Sequence, residues 1–122
     1  MMTLKKAAEK LIVALEDMKA INIKTIDVRK QTSITDMMMI ATGRSNRQVR
    51  AIADKILETA KQIGLPLLGM EGQKEGEWIL VDLGDFVIHI MQAEIREYYQ
   101  LEKLWTPEPK KPRASRKKTD AD

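Results

Sequence analysis

The sequence contains no cysteine, and His89 is its only histidine among 122 residues. The missing thiols exclude a disulfide framework and thiolate metal sites, and they fit a reducing compartment. Because there is neither a cysteine nor a second histidine, a zinc site is not expected. We therefore predict that the protein uses no metal and no cofactor.

Long apolar runs are missing as well. No stretch reaches the roughly 18 apolar residues that a membrane span requires. The N-terminal sequence MMTLKKAAEK carries basic residues, but no apolar segment follows them, so a signal peptide is not expected. A cytoplasmic location is the default expectation.

Positive charge is concentrated at the C-terminus. Residues 106–122 hold six of the 21 Lys and Arg residues and three of the 18 acids, which leaves 15 of each sign in residues 1–105. This segment also has three prolines and almost no apolar residues, a composition typical of disorder. We predict one domain over 1–105 and a disordered basic tail over 106–122. Since the domain is neutral, its surface is not predicted to bind nucleic acid.

Hydrophobic periodicity divides the domain into alternating helices and strands. Helices are predicted over 4–20, 45–63 and 93–105, and strands over 23–28, 37–42, 65–69 and the two arms of 78–91. The order is α-β-β-α-β-β-β-α, and the class is α/β, a single domain with a mixed sheet and flanking helices. The strand-helix-strand unit over 37–69 predicts a parallel pair of strands.

The segment Trp78 to Met91, WILVDLGDFVIHIM, is predicted to be a hairpin that turns at Gly84-Asp85. Side chains alternate between its two faces. One face is entirely apolar and is predicted to be core: Ile79, Val81, Leu83, Phe86, Ile88 and Ile90. The other face is mixed: Trp78, Leu80, Asp82, Val87, His89 and Met91. A face with a large aromatic, a carboxylate and an imidazole suits a partner surface.

The turn at Gly43 to Asn46 leads from a strand into a helix, where free amides attract anions. The more ordinary interpretation is a capped helix start, because Ser45 and Gln48 have the spacing of a capping box. A nucleotidyl-transfer enzyme would also need paired carboxylates on an adjacent strand to hold magnesium. The next predicted strand, 65–69, has no acid, which argues against that chemistry.

Two acids lie at the hairpin turn. Asp82 and Asp85 are able to hold a hard cation or to hydrogen-bond their own backbone. The turn role is favoured for Asp85 and is less settled for Asp82. A catalytic relay through His89 is not expected, because no serine has a nucleophile-elbow context.

The last predicted helix carries two adjacent tyrosines, which cannot both face inward. Tyr98 shares helical spacing with Ile95, Leu101 and Leu104, so we predict that it is core. Tyr99 lies at the margin, where an exposed tyrosine is a suitable anchor for a partner. Trp105 is predicted to close the edge of the core.

Three segments resemble the ribosomal silencing factor S family, also called Iojap-like: SITDMMMIATGRSNRQVRAIAD (33–54), EWILVDLGDFVIHIM (77–91) and REYYQLEKLW (96–105). Methionines 37–39 replace aromatic residues that are frequent in the family. The resemblance implies a nucleotidyltransferase-like fold without catalytic carboxylates. It also implies binding to the L-fourteen protein of the large ribosomal subunit, which keeps the subunits apart and represses translation under nutrient limitation or in stationary phase.

The resemblance places partner contacts at Trp78, Asp82 and Tyr99. The mixed face and its surroundings add Leu80, His89, Met91 and Glu94. We therefore expect a translation repressor that is not an enzyme and has no small-molecule substrate. A homodimer and a weak contact of the tail with ribosomal RNA stay open.

The rival hypothesis is a nucleotidyl or phosphoryl transferase that uses the turn at 43–46 with Asp82 and Asp85. It requires these acids close to Gly43 and a concave pocket. A binding module requires instead an exposed face around Trp78. A third and weaker alternative is an RNA-binding protein that acts through the tail alone.

Overall fold

The computed structural model describes residues 3–33 and 35–100. These residues form the elements in the predicted order. The helices are α1 (Leu4–Asp17), α2 (Asn46–Gln62) and α3 (Ala93–Tyr99), and the strands are β1 (Ile21–Asp27), β2 (Met37–Gly43), β3 (Gly69–Glu71), β4 (Trp78–Asp82) and β5 (Phe86–Gln92). In this part of the chain, no helix is long and apolar enough to cross a membrane.

The strands form one mixed sheet in the order β1-β2-β5-β4-β3. The parallel pair joins β2 to β5, whereas β1 with β2, β3 with β4 and β4 with β5 are antiparallel. The predicted parallel pair between 37–42 and 65–69 is therefore wrong, because β3 begins at Gly69 and pairs only with β4. Periodicity identifies strands, but it does not specify which strand lies beside which.

Helices α1 and α2 cover one face of the sheet and enclose the main core. The predicted apolar face of the hairpin is confirmed, since all six of its side chains are fully buried there. The register is also as predicted, with Trp78 opposite Met91 and Leu83 joined to Phe86 by a backbone hydrogen bond of 2.8 Å. Burying one aliphatic or aromatic side chain contributes roughly 1.5–3 kcal/mol, so this face supplies much of the folding energy.

The start of α2 is fixed by side-chain caps. Ser45 Oγ accepts a hydrogen bond from the Gln48 amide at 3.1 Å, as predicted. The Gln48 side chain does not return to Ser45, however. Its Oε1 accepts from the Arg44 amide at 2.6 Å, and its Nε2 donates to the carbonyls of Met18 and Lys19. Gln48 thereby joins the start of α2 to the end of α1, and the ordinary capped-helix interpretation fits these contacts.

The opposite face of the sheet carries a second, smaller cluster. Its buried members are Ile26, Val28, Met38, Ile40 and Met91, with Trp78 and Ile95 packed against them. Helix α3 crosses this face, and Arg96 fixes it by donating to the Asn22 carbonyl and to Thr42 Oγ1. The predicted helix over 93–105 is wrong at Gln100, where α3 ends in a left-handed residue with a φ of +51°. Positions 101–105, the predicted role of Trp105, the domain boundary at 105 and the tail lie outside the described residues.

Candidate functional site

Three ring side chains meet on the face that α3 crosses. The Trp78 indole Nε1 donates a hydrogen bond to Nδ1 of His89 at 2.9 Å. The Trp78 and His89 ring centroids are 5.9 Å apart, and the Tyr99 ring lies 5.0 Å from Trp78 on a plane tilted by 48°. We call Trp78, His89 and Tyr99 the aromatic cluster. Both centroid separations lie within the roughly 4.5–7 Å range of interacting aromatic pairs.

His89 is the buried member of the aromatic cluster, with only 6% of its surface exposed. Burial lowers the pKa of this imidazole from 6.5 to about 4, so the ring is neutral at pH 7. Because Nδ1 accepts from Trp78, the single ring proton belongs on Nε2. Sequence reasoning placed His89 in contact with a partner, but the structure places it beneath Trp78.

The two tyrosines of α3 are both exposed, Tyr98 at 79% and Tyr99 at 51%. The prediction that Tyr98 is core is therefore wrong. Helix α3 contacts the sheet along the ridge from Ile95 to Tyr99, which has a spacing of four residues, and the spacing of three to Tyr98 leads outward. Tyr98 instead packs edge-on against Tyr99 with centroids 4.8 Å apart.

Asp82 lies at the far end of β4 from Trp78 and is half-buried. Its Oδ1 accepts a hydrogen bond from the Gly84 amide at 3.0 Å, and Gly84 has a φ of +86°, which favours glycine. The carboxylate that fixes the turn is thus Asp82 and not Asp85, for which the sequence favoured this role. Asp85 contributes its carbonyl, which accepts from the amides of Asp36 and Met37.

The other predicted contact residues divide by exposure. Leu80 is half-buried between Trp78 and Asp82, and Glu94 is exposed on α3. Met91 is fully buried beneath Trp78 and Ile95, so it offers no surface to a partner. That expectation is corrected because α3 folds back over the end of the hairpin.

Sequence reasoning missed Glu71 on β3. It is exposed and lies opposite Leu80, and opposite residues in an antiparallel pair point to the same face. A strand assigned at 69–71 instead of 65–69 would have revealed it. We call Trp78, Leu80, Asp82, Glu71 and Tyr99 the β4 face.

The start of β4 depends on a close approach by the preceding loop. At Gly72, which has a φ of +89°, an added Cβ would lie 2.0 Å from the Trp78 carbonyl oxygen. A side chain there would push the loop away from the strand. Gly72 therefore helps to hold the backbone of Trp78 in place.

The turn at Gly43 lies at the opposite end of the sheet from the acids of the hairpin. Gly43 pairs with Gln92 at one end of β5, whereas Asp82 pairs with Val87 near the other. Five residues of strand separate these positions, which is roughly 17 Å. Within residues 3–33 and 35–100, no three His, Cys, Asp or Glu side chains are grouped to hold a metal ion. Among the described residues, the hairpin acids therefore do not lie close to Gly43, as the transferase hypothesis requires.

These features describe a small α/β domain with one well-packed helical layer and a part-open aromatic and acidic face. The family model described as ribosomal silencing factor during starvation matches residues 2–122. The chain therefore belongs to the ribosomal silencing factor family, and the predicted resemblance is confirmed.

Individual relatives agree with this assignment. A ribosomal silencing factor from Haemophilus influenzae is 48% identical over 97 residues, which cover 80% of this chain and 95% of the relative. A crystal structure of a Chromobacterium violaceum protein superposes with a TM-score of 0.84 at 40% identity, covering 93% of this chain and 95% of the other. A mouse relative is named mitochondrial assembly of ribosomal large subunit protein 1. It is 35% identical over 99 residues, and the match covers 79% of this chain and 43% of the mouse protein. The mixed-sheet fold is thus confirmed, while the likeness to nucleotidyltransferases stays a prediction.

Proposed function

We propose that this ribosomal silencing factor binds the L-fourteen protein of the large ribosomal subunit through its β4 face. A protein held there blocks the approach of the small subunit by steric exclusion and lowers translation when nutrients are scarce. The observation that carries the proposal is the half-buried Trp78, which lies between a buried acceptor and an exposed tyrosine. Tryptophan and tyrosine are the residue types that most often dominate binding energy in interfaces.

Charge on the β4 face favours a basic partner. Asp82 is half-buried at one end of β4, and Glu71 is exposed beside Leu80. Ribosomal proteins expose many basic residues, which pair with such carboxylates and steer the encounter. Glu94 on α3 is the further acid that the sequence pointed to, and it is exposed.

We further propose that the protein acts without catalysis, cofactor or small-molecule substrate, in the cytoplasm where ribosomes assemble. The wide separation of Gly43 from Asp82 supports the absence of transferase chemistry. A contact of the basic tail with ribosomal RNA and a homodimer stay as secondary hypotheses.

The test is co-sedimentation with separated large and small subunits. The wild-type protein should sediment with large subunits only, and Trp78→Ala should weaken that binding at least tenfold, about 1.4 kcal/mol. Val13→Ala is the matched control, because Val13 is an exposed apolar residue on α1, on the other side of the sheet. It should bind like the wild type.

Two outcomes would overturn the proposal. Normal binding by Trp78→Ala would show that the β4 face is not the contact. Binding of the wild type to small subunits alone would show that the partner is wrong. A cross-link from residue 78 to the L-fourteen protein, introduced by a photoreactive amino acid, would identify the partner directly.

A further inference from the structure

We propose that His89 is a positioning residue: its imidazole accepts the Trp78 indole hydrogen bond and holds that ring in the orientation that a partner binds. This inference rests on the proposed function of the β4 face. It assigns His89 a different role from direct contact, because the residue has almost no exposed surface.

In the pair formed by Trp78 and His89, the indole is the donor and the imidazole is the acceptor. The indole has a single N–H group and no acceptor, so the direction of that bond fixes which edge of the ring faces the sheet. Its partner, Nδ1 of His89, lies 2.9 Å away on the neighbouring strand. The two residues are diagonal neighbours, since Trp78 is directly opposite Met91 and His89 is opposite Leu80.

The acceptor itself is held rigidly. His89 lies within the central strand β5, between β2 and β4, and it is opposite Ile40 on one side and Leu80 on the other. A buried ring on a strand that is paired on both sides has little freedom to turn. The hydrogen bond therefore transfers the rigidity of the sheet to a side chain near the surface.

Tyr99 restrains the Trp78 ring from α3, with centroids 5.0 Å apart. Trp78 thus has a hydrogen bond to the sheet and an aromatic contact to a helix. A large side chain that is already ordered loses less conformational entropy when it binds. We expect this preorganisation to strengthen binding by about three- to tenfold.

The experiment combines three single variants with one double variant. His89→Leu removes the acceptor, His89→Gln supplies an amide oxygen that is able to accept, and Trp78→Phe keeps an aromatic ring but removes the N–H donor. Binding to large subunits is measured for each. The Trp78 indole N–H resonance and its hydrogen exchange are followed by NMR in the variants that retain the indole.

Three results are expected. His89→Leu should weaken binding about three- to tenfold and speed exchange of the indole proton. His89→Gln should restore a substantial part of both. In the Trp78→Phe background, His89→Leu should have no further effect on binding, because the bond is already absent.

Other results would overturn the inference. An equal loss from His89→Leu with and without the Trp78 indole would show that His89 acts independently of Trp78. Normal binding by His89→Leu, despite faster indole exchange, would show that orientation does not matter. If His89→Leu fails to fold, the other two single variants decide the question. His89→Gln should then retain a substantial part of the slow indole exchange and of the wild-type binding, whereas Trp78→Phe should bind more weakly. Fast exchange in His89→Gln, or normal binding by Trp78→Phe, would contradict the inference. Failure of the proposed function is distinct, because Trp78→Ala itself would then bind normally.

Discussion

The two faces of the same hairpin differ in how far they are buried. On one, alternate residues from Ile79 to Ile90 are aliphatic or aromatic and fully buried under α1 and α2. On the other, Trp78, Leu80 and Asp82 stay partly exposed, and a short α3 covers only the end at Met91. A period of two along the strand thus separates a buried face, which supplies folding energy, from a mixed face that we propose for partner binding and call the recognition face. Substitutions of fully buried residues should therefore change mainly stability, and substitutions of partly exposed residues on the other face should change mainly binding.

The largest effect is expected from the buried face. Phe86→Ala should lower the free energy of unfolding by about 3–5 kcal/mol, because it removes a fully buried ring and leaves a cavity. Urea denaturation followed by circular dichroism measures the loss. Leu67→Ala is the control, since Leu67 is an exposed apolar residue and its truncation should cost less than about 0.5 kcal/mol. A small effect of Phe86→Ala would contradict the packing described for this face.

His89 belongs to the recognition face but is buried, so it should link pH to stability. Its pKa is about 4 in the folded protein against 6.5 when unfolded, so the unfolded chain takes up a proton first as pH falls. Stability should therefore decrease between pH 6.5 and 4, by on the order of 3 kcal/mol relative to a variant without this group. Below pH 4 the difference in unfolding free energy between the wild type and that variant should change no further.

Urea unfolding of the wild type and of His89→Gln across this pH range provides the measurement. The difference between the two proteins isolates the histidine from the carboxylates that titrate in the same range. If the unfolding free energies of the two proteins change with pH in parallel, the pKa of His89 is not lowered by folding.

A smaller effect is expected from charge on the recognition face. Asp82→Asn keeps an oxygen for the Gly84 amide, so the hairpin turn and the melting temperature should change little. Loss of the carboxylate should weaken binding to large subunits by about fivefold, or 1 kcal/mol, and the difference should shrink as salt is added. Asp85→Asn removes a nearby exposed charge that does not belong to the β4 face. An equal loss in both variants would indicate a general charge effect.

Much of the buried face was predictable, because six apolar residues at a spacing of two leave few alternatives. The recognition face was less predictable. Met91 is buried because α3 folds back over it, and Tyr98 is exposed because the helix contacts the sheet through Tyr99. Neither fact follows from local spacing, since both depend on where a helix lies in three dimensions.

The pairing of distant strands could not be predicted from local spacing either. The parallel neighbour of β2 is β5, and its identity depends on the path of the whole chain. The bond from Trp78 to His89 was also beyond sequence reasoning, although both residues were placed on the correct face. A two-residue offset across a predicted hairpin allows such a bond but does not require it.

The smallest effect is expected from the positive charge of the C-terminal segment. Residues 106–122 carry three more basic than acidic residues, whereas residues 1–105 carry equal numbers of both. We expect their deletion to slow association with large subunits at low salt by about threefold and to leave dissociation nearly unchanged, because long-range attraction acts mainly on the encounter. At high salt the two association rates should converge. Stopped-flow binding across a salt series measures both rates.

A control that keeps the segment but has glutamine at its six basic positions should behave like the deletion if charge alone is responsible. Faster dissociation of the deletion, but not of this control, would instead show that the segment forms part of the interface.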